Sequence, residues 1–545
     1  MTEEQIENEP GRVKRIFRWV FVVAKWLFVL LLAILLIGGV YFKAPWKVTA
    51  LIAIVLATLT IIPKRMRKWI WLTFGIIVIA LVVWVFLPED DGDWRPYTFD
   101  EELAAMEAKR AIPDEENAAI IYNKLLETYD PNDFKHDFID DDLWALSGQE
   151  LWSSKDYPKL AKWLEGQRDT IETLMEACER DGCRFPLQPD TIGLMKLSDR
   201  LTPMKDWARL LIRAGNNDFG NGEIGDGIKK YVAVLQMAEH LYQQPSPIEL
   251  ITAIAIEALG RSQVIRFVVV GDASEERLNI LDKSMSQVKH DWAADWLKTI
   301  GYEKLLAKNH LGMFYEVNSK GKVRLARDPL AIIREEFESL GFELPVHRYW
   351  HKKLAKLRTI LAWFYVPHSP HEAGKIFDDS CERYYAMAEP GFDWQKGHVK
   401  VKSRLKLNYH YLIEVIAAML EGPYHKIHDL YLRNISDNRA AQLVIALRRH
   451  KNEYGRWPGS LEEVKSLAPA ELFVDPVNND SFVYRMTEDS FTLYSKGKNG
   501  IDEGGLRTMI FDPNIPKWPE TKEDDLLIWP PRSRKTKEKT KSGAN

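Results

Sequence analysis

The chain has 545 residues, 46% of them apolar, with 74 basic and 78 acidic side chains and a formal charge of −4. That length allows about three folding units, and the composition is that of a folded chain, not a disordered or collagenous one. Three cysteines are too few for a disulfide scaffold, and the near-balanced charge excludes a protein that coats nucleic acid.

A basic tail, 1–18, precedes three apolar runs near 19–42, 48–62 and 69–87. A helix needs about 20 apolar residues to cross a bilayer; the first and third runs reach this, and the second is shorter and closed by Pro63. No small-x-small cleavage site follows the first run, and two more runs come directly after it, so a retained anchor is expected over a signal peptide. Two basic clusters, Arg12, Lys14, Arg15, Arg18 and Lys64, Arg65, Arg67, Lys68, alternate with a sparse Lys43/Lys47 loop and the acidic exit Glu89, Asp90, Asp91, Asp93. The positive-inside rule then predicts an integral membrane protein, with the lipid bilayer as partner, the N-terminus cytoplasmic and the bulk outside the cytoplasm. Residues 1–87 hold 11 basic and 4 acidic side chains, leaving 63 and 74 for the rest, the mild acidity of an ordinary soluble surface.

From 88 to 436 helical periodicity dominates and predicts a helical extracytoplasmic domain. Pro113-Asp114-Glu115-Glu116 reads as an acid-rich helix start. Further helices are predicted over 157–179, 194–214, 224–242 and 247–270, the last apolar on more than one side and so a central buried helix. Gly215-Asn216-Asn217-Asp218-Phe219-Gly220-Asn221-Gly222 lacks the ordered spacing of a calcium loop and reads as a turn, closing a tetratricopeptide-like hairpin. Cys178 and Cys183 leave both a bridge and free thiols open, since Gly182 permits the bend that a bridge needs. His347 and His351 share one helix face beside Arg348, Lys352 and Arg358, which reads as a basic boundary face. His368, His371 and Glu372 form a looser group without the zincin spacing. There is no phosphate loop, nucleophile elbow or dinucleotide fingerprint.

The pattern changes after Asp437. A helix over 439–454 ends at Gly455; Ser460-Leu461-Glu462-Glu463 reads as a capping box; Asp475-Pro476 turns the chain; and 482–486 and 491–495 form a hairpin. The run 446–505, with its order of helix, Tyr-Gly-x-x-Pro, short helix, Asp-Pro turn, aromatic hairpin and Ser-x-Gly loop, resembles the globular part of type II secretion major pseudopilins. That resemblance implies a calcium-binding loop, with Asn499, Asp502 and Glu503 at the matching positions. A pseudopilin begins with a prepilin-peptidase site and a single packing helix, whereas this module sits at the far end of the chain on a different membrane anchor, so filament assembly is not implied. The helical middle, with MKDWARLLIRAG and IELITAIAIEALG, also resembles large membrane-anchored proteins of planctomycete-type bacteria, a likeness that brings location and architecture but no activity. Pro513, Pro516, Pro519, Pro530 and Pro531, followed by a basic end, predict a disordered tail over 514–545.

The expected fold is therefore mainly α: N-terminal transmembrane helices over 19–87, a large and partly tetratricopeptide-like helical domain over 88–436, and a small α+β pseudopilin-like module over 437–513. The expected function is a non-catalytic cell-envelope scaffold that binds envelope proteins and no nucleic acid. The alternative is an exported metal-dependent hydrolase built on His368, His371 and Glu372.

Overall fold

The computed structural model describes residues 53, 76, 93–134, 141–187, 191–288, 290–326, 369–389, 391–392, 413, 424–510 and 520–531. Twelve α-helices lie among them. In chain order they are α1 (Asp100–Lys109), α2 (Ala119–Thr128), α3 (Asp141–Ser147), α4 (Pro158–Gly166), α5 (Arg168–Cys178) and α6 (Thr191–Asn221). There follow α7 (Ile224–Tyr242), α8 (Pro247–Val270), α9 (Glu275–Gln287), α10 (Trp292–Gly312), α11 (Pro370–Tyr385) and α12 (Tyr424–Tyr454). The strands are short: β1 (Arg95–Pro96), β2 (Tyr315–Val317), β3 (Val323–Leu325), β4 (Val474–Asp475) and β5 (Asp480–Ser481). Then come β6 (Val483–Met486), β7 (Phe491–Ser495), β8 (Arg507–Ile510), β9 (Glu520–Asp524) and β10 (Leu526–Trp529).

The protein is mainly helical with small sheets, and the expectation of transmembrane helices is corrected. Among the described residues no helix is long and apolar enough to cross a membrane. The most apolar of the long helices, α8, carries Glu249, Glu257, Arg261 and Arg266 within its 24 residues. Charges at that density belong to a helix that packs against protein, where partners can neutralise them. The three apolar runs lie outside the described residues apart from Ala53 and Ile76, as do His347, His351 and His368.

The chain divides into two compact units. One comprises the described residues of Met1–Leu103, Glu303–Ala386 and Gly391–Gly422. Its antiparallel sheet, β1-β2-β3, adjoins a core that includes Phe99, Phe314, Phe377 and Cys381. Lys308 is 4% exposed there, with its ammonium 2.7 Å from both Glu102 and Asp378.

The other unit comprises Ala104–Tyr302, Met387–Pro390 and Pro423–Asn545 in their described parts. α7 packs between α6 and α8, and α8 packs on α12. The predicted turn over 215–222 is replaced by helix: α6 runs unbroken to Asn221. Its turn-like composition serves close packing. The Asn216 amide donates to the Ser147 carbonyl at 2.9 Å, and its oxygen accepts from Tyr231 Oη at 2.5 Å. A Cβ on Gly220 would strike the Trp152 carbonyl, and one on Gly215 would meet the Tyr231 ring at 2.9 Å. Glycine and asparagine stand there because the neighbours leave little room and need polar partners.

α8 begins with a complete capping box. Ser246 accepts from the Ile248 amide, Glu249 accepts from the Ser246 amide, and Pro247 occupies the first turn. α12 ends at Gly455, whose φ of +71° and amide bond to the Lys451 carbonyl (2.8 Å) close the helix. The capping box expected at Ser460 does not form: its side chain makes no cap bond, and Glu463 accepts from the Gly459 amide at 2.9 Å and not from that of Ser460.

After α12, β6 and β7 form the hairpin, in the register Val483↔Tyr494 to Met486↔Phe491, and β10 adds on the other side of β7 to give the order β10-β7-β6. The expectation of disorder from 514 is thereby corrected for its described part. β9 pairs with β8, and β10 buries Leu526 and Trp529 against the sheet. The flanking prolines obscure a four-residue apolar strand whose partner is about 30 residues away, and such non-local pairing leaves no local signal.

Candidate binding cleft

α8 supplies both the polar centre of the second unit and one wall of a cleft. It is buried except along one stripe, where Ile248, Ile251, Ala255, Ser262 and Val270 are exposed and Ala258, Leu259 and Arg266 half-buried. Gly260 allows this close burial, since a Cβ there would already lie 3.1 Å from the Val234 and Leu235 side chains of α7.

Glu257 is fully buried on α8, and four elements converge on it. Arg261, one turn along, donates to Oε1 at 2.9 Å. Tyr242 at the end of α7 and Asn434 of α12 donate to Oε2 at 2.7 and 2.6 Å. His290, just before α10, places Nε2 3.2 Å from the same oxygen. Burial alone would raise the carboxyl's pKa, but His290, Arg261 and Asn434 outweigh it and hold the group ionised, down to about 2. Arg261 also donates to Asn434 Oδ1 at 3.0 Å and lies 3.4 Å from Asp437. The network is internally satisfied and joins α7, α8, α12 and the segment before α10.

Beyond Arg261 the network meets a cleft of about 510 Å³. One wall is α8, with Ser262, Gln263 and Arg266; the other is β10, with Leu527, Ile528 and Trp529. Arg266 pairs with Glu150 at 2.6 Å. Trp529 is fixed by its indole N–H, which donates to Ser490 Oγ at 3.1 Å. Gln263 is buried in the α8 wall, and its Oε1 has no hydrogen-bond partner.

The residues singled out in the sequence lie elsewhere. His371 and Glu372 stand exposed on the first turn of α11. Asn499, Asp502 and Glu503 share one loop. Asn499 donates to Glu503 at 2.8 Å and accepts from the Ile501 amide. Asp502 accepts from Tyr494 Oη at 2.6 Å and from Arg485 at 2.7 Å, and Glu503 accepts from the Asp524 amide. The carboxylates thus already hold protein donors, a guanidinium among them, and a calcium ion would have to displace Arg485. Among the described residues no group of three His, Cys, Asp or Glu side chains is placed to hold a metal.

All three cysteines are free. Cys178 donates to the Ala233 carbonyl at 3.3 Å, and burial pushes its thiol up to about 12, a poor nucleophile at neutral pH. Beside it, Tyr122 Oη lies 2.9 Å from His240 Nδ1, and His240 Nε2 lies 2.7 Å from the Arg180 carbonyl. Since a carbonyl only accepts, the proton sits on Nε2 and Tyr122 donates to Nδ1. Burial pulls this imidazole down to about 4, so it is neutral.

Sequence reading missed Glu257, Arg261, Gln263 and Trp529. The available signal was a Glu and an Arg four residues apart inside a helix otherwise apolar on more than one side. Compared with known protein families, curated proteins and solved structures, the chain matches none.

Proposed function

We propose that this chain is a non-catalytic scaffold or interaction protein of the bacterial cell envelope, and that the cleft beside β10 receives a protein partner. The observation that carries this reading is one continuous apolar core. It contains Tyr231 and Leu235 of α7, Val264 and Val268 of α8, Leu443 and Leu447 of α12, and Phe491 and Trp529 of the sheet. The C-terminal sheet is therefore welded to the helical layers, and a surface built on such a body holds a partner in fixed geometry. Glu257, buried, ionised and saturated with donors, suits a structural tie better than proton transfer. His371 and Glu372, exposed on one helical turn, offer the hydrolase alternative no enclosed site. The lipid bilayer stays a proposed partner, and an extracytoplasmic place for the bulk of the chain a proposed location.

The test is co-purification from the native envelope of the full chain against Glu150→Lys and Trp529→Ala. A partner lost with both variants supports the reading. An unchanged partner set overturns the assignment of the cleft.

A further inference from the structure

We infer that Arg213 and Arg209 of α6 form a carboxylate-binding site, in which Arg213 offers its Nη2 edge to the anion and Arg209, one turn away, is the second donor. None of the residues that build it lines the cleft, so it stands independently of the partner assigned above.

Arg213 is 9% exposed, yet among the described residues no carboxylate pairs with it. Elsewhere in this unit buried guanidiniums are neutralised: Arg261 meets Glu257 and Asp437, and Arg200 meets Glu249. A buried cation without a counter-ion is costly, and one that persists is poised to accept an anion. Burial and the like charge of Arg209 together pull the Arg213 pKa down to about 10, which leaves it charged at neutral pH.

The guanidinium is fixed on three sides. It stands over the Trp144 ring of α3, 3.9 Å from the centroid, and Trp144 meets Trp163 edge-on at 5.0 Å. Nε donates to Ser147 Oγ at 3.1 Å, and Nη1 to the Arg209 carbonyl at 3.4 Å. Nη2 makes no hydrogen bond among the described residues. It borders Gly148, where a Cβ would lie 3.8 Å away, so no side chain covers it from that residue. A donor already oriented in this way loses little side-chain entropy when an oxyanion arrives.

The charge count selects the class of anion. Arg209 is exposed and donates to Asp206 at 3.1 Å, and Asp206 also accepts from Tyr129 Oη at 2.8 Å. Two guanidiniums against one carboxylate leave a single positive charge. A carboxylate cancels it, and its two oxygens in one plane match the guanidinium fork. A phosphate dianion would overshoot and face Asp206.

The experiment is urea unfolding of the full-length protein at pH 7 in sodium acetate, sodium phosphate or sodium chloride at equal ionic strength. An anion that binds only the folded protein raises the unfolding midpoint and saturates with concentration. The parent should gain in acetate over chloride. Arg213→Met and Arg209→Gln should lose that gain and keep only the general salt effect common to all the proteins. Arg213→Lys, which keeps the charge but not the fork, should need about tenfold more acetate for the same gain. Arg209 is exposed, so its variant remains readable if Arg213→Met fails to fold. No acetate gain in the parent, or the same gain in Arg209→Gln and in whichever Arg213 variants fold, overturns the site. Phosphate that acts through Arg213 as strongly as acetate overturns the carboxylate class.

Discussion

Replacing Glu257 by glutamine removes the anion at the centre of the second unit and leaves the Arg261 guanidinium buried, 3% exposed, with Asp437 3.4 Å away as its remaining acid partner. Breaking a buried pair from one side costs about 3–5 kcal/mol, a large share of the roughly 5–15 kcal/mol by which folded domains are stable. Removing both members is less harmful than their separate losses suggest. Glu257→Leu combined with Arg261→Met deletes the buried charges together, and Asn434 still donates to Tyr242 Oη at 2.9 Å. The double variant should therefore fall short of the summed single losses by about 1–3 kcal/mol. Urea unfolding followed by far-UV circular dichroism compares the parent protein, Glu257→Gln, the singles Glu257→Leu and Arg261→Met, and the double variant. Glu257→Gln with unchanged stability, or strictly additive losses, would refute the claim that this carboxylate is a structural tie. The same group sets a pH window. Its folded pKa, about 2, lies below the ordinary 4.5, so its contribution is full above pH 4.5 and disappears as pH falls to 2, about 3 kcal/mol in all.

Other outcomes follow from the same contacts. His240 is held neutral, with a pKa of about 4 against 6.5, so the unfolded chain binds the proton first; stability should drop by about 3 kcal/mol between pH 6.5 and 4, and His240→Gln should flatten that slope in urea titrations. Ser246→Ala removes one bond of the α8 capping box and should cost about 1 kcal/mol by the same method, with no loss counting against the cap. Calcium entering the 496–505 loop must displace Arg485 from Asp502, so calorimetry should show heat that grows with Arg485→Gln and vanishes with Asp502→Ala; silence in all three refutes binding there. An alkaline phosphatase fusion after Asp93 should be active, and an inactive one would overturn the proposed extracytoplasmic location of the bulk.

The long helices were legible because their apolar residues repeat at helical spacing. The predicted spans 224–242 and 247–270 coincide with α7 and α8, and the strands predicted at 482–486 and 491–495 fall on the hairpin β6-β7, the first starting one residue later. Residues 215–222 misled because glycine and asparagine serve both turns and tight helix packing, and only the Trp152 carbonyl and the Tyr231 ring distinguish the two. The helix expected from 439 begins at Tyr424 and runs through 437, since its first half carries Asn434, Ser436 and Asn438, polar residues buried by distant partners. The cleft was illegible for the same reason. Its walls come from α8 and from a strand more than 250 residues later, and no window of sequence contains both.

The central claim, one body in which the helical layers and the C-terminal sheet share a core, is tested most directly by native-state hydrogen exchange with mass spectrometry across α7, α8, α12 and β7. A shared core predicts that the slowest amides of all four open together, with one free energy and one denaturant dependence. Exchange of β7 and the second half of α12 through a separate, less costly opening, while α7 and α8 stay protected, would contradict it.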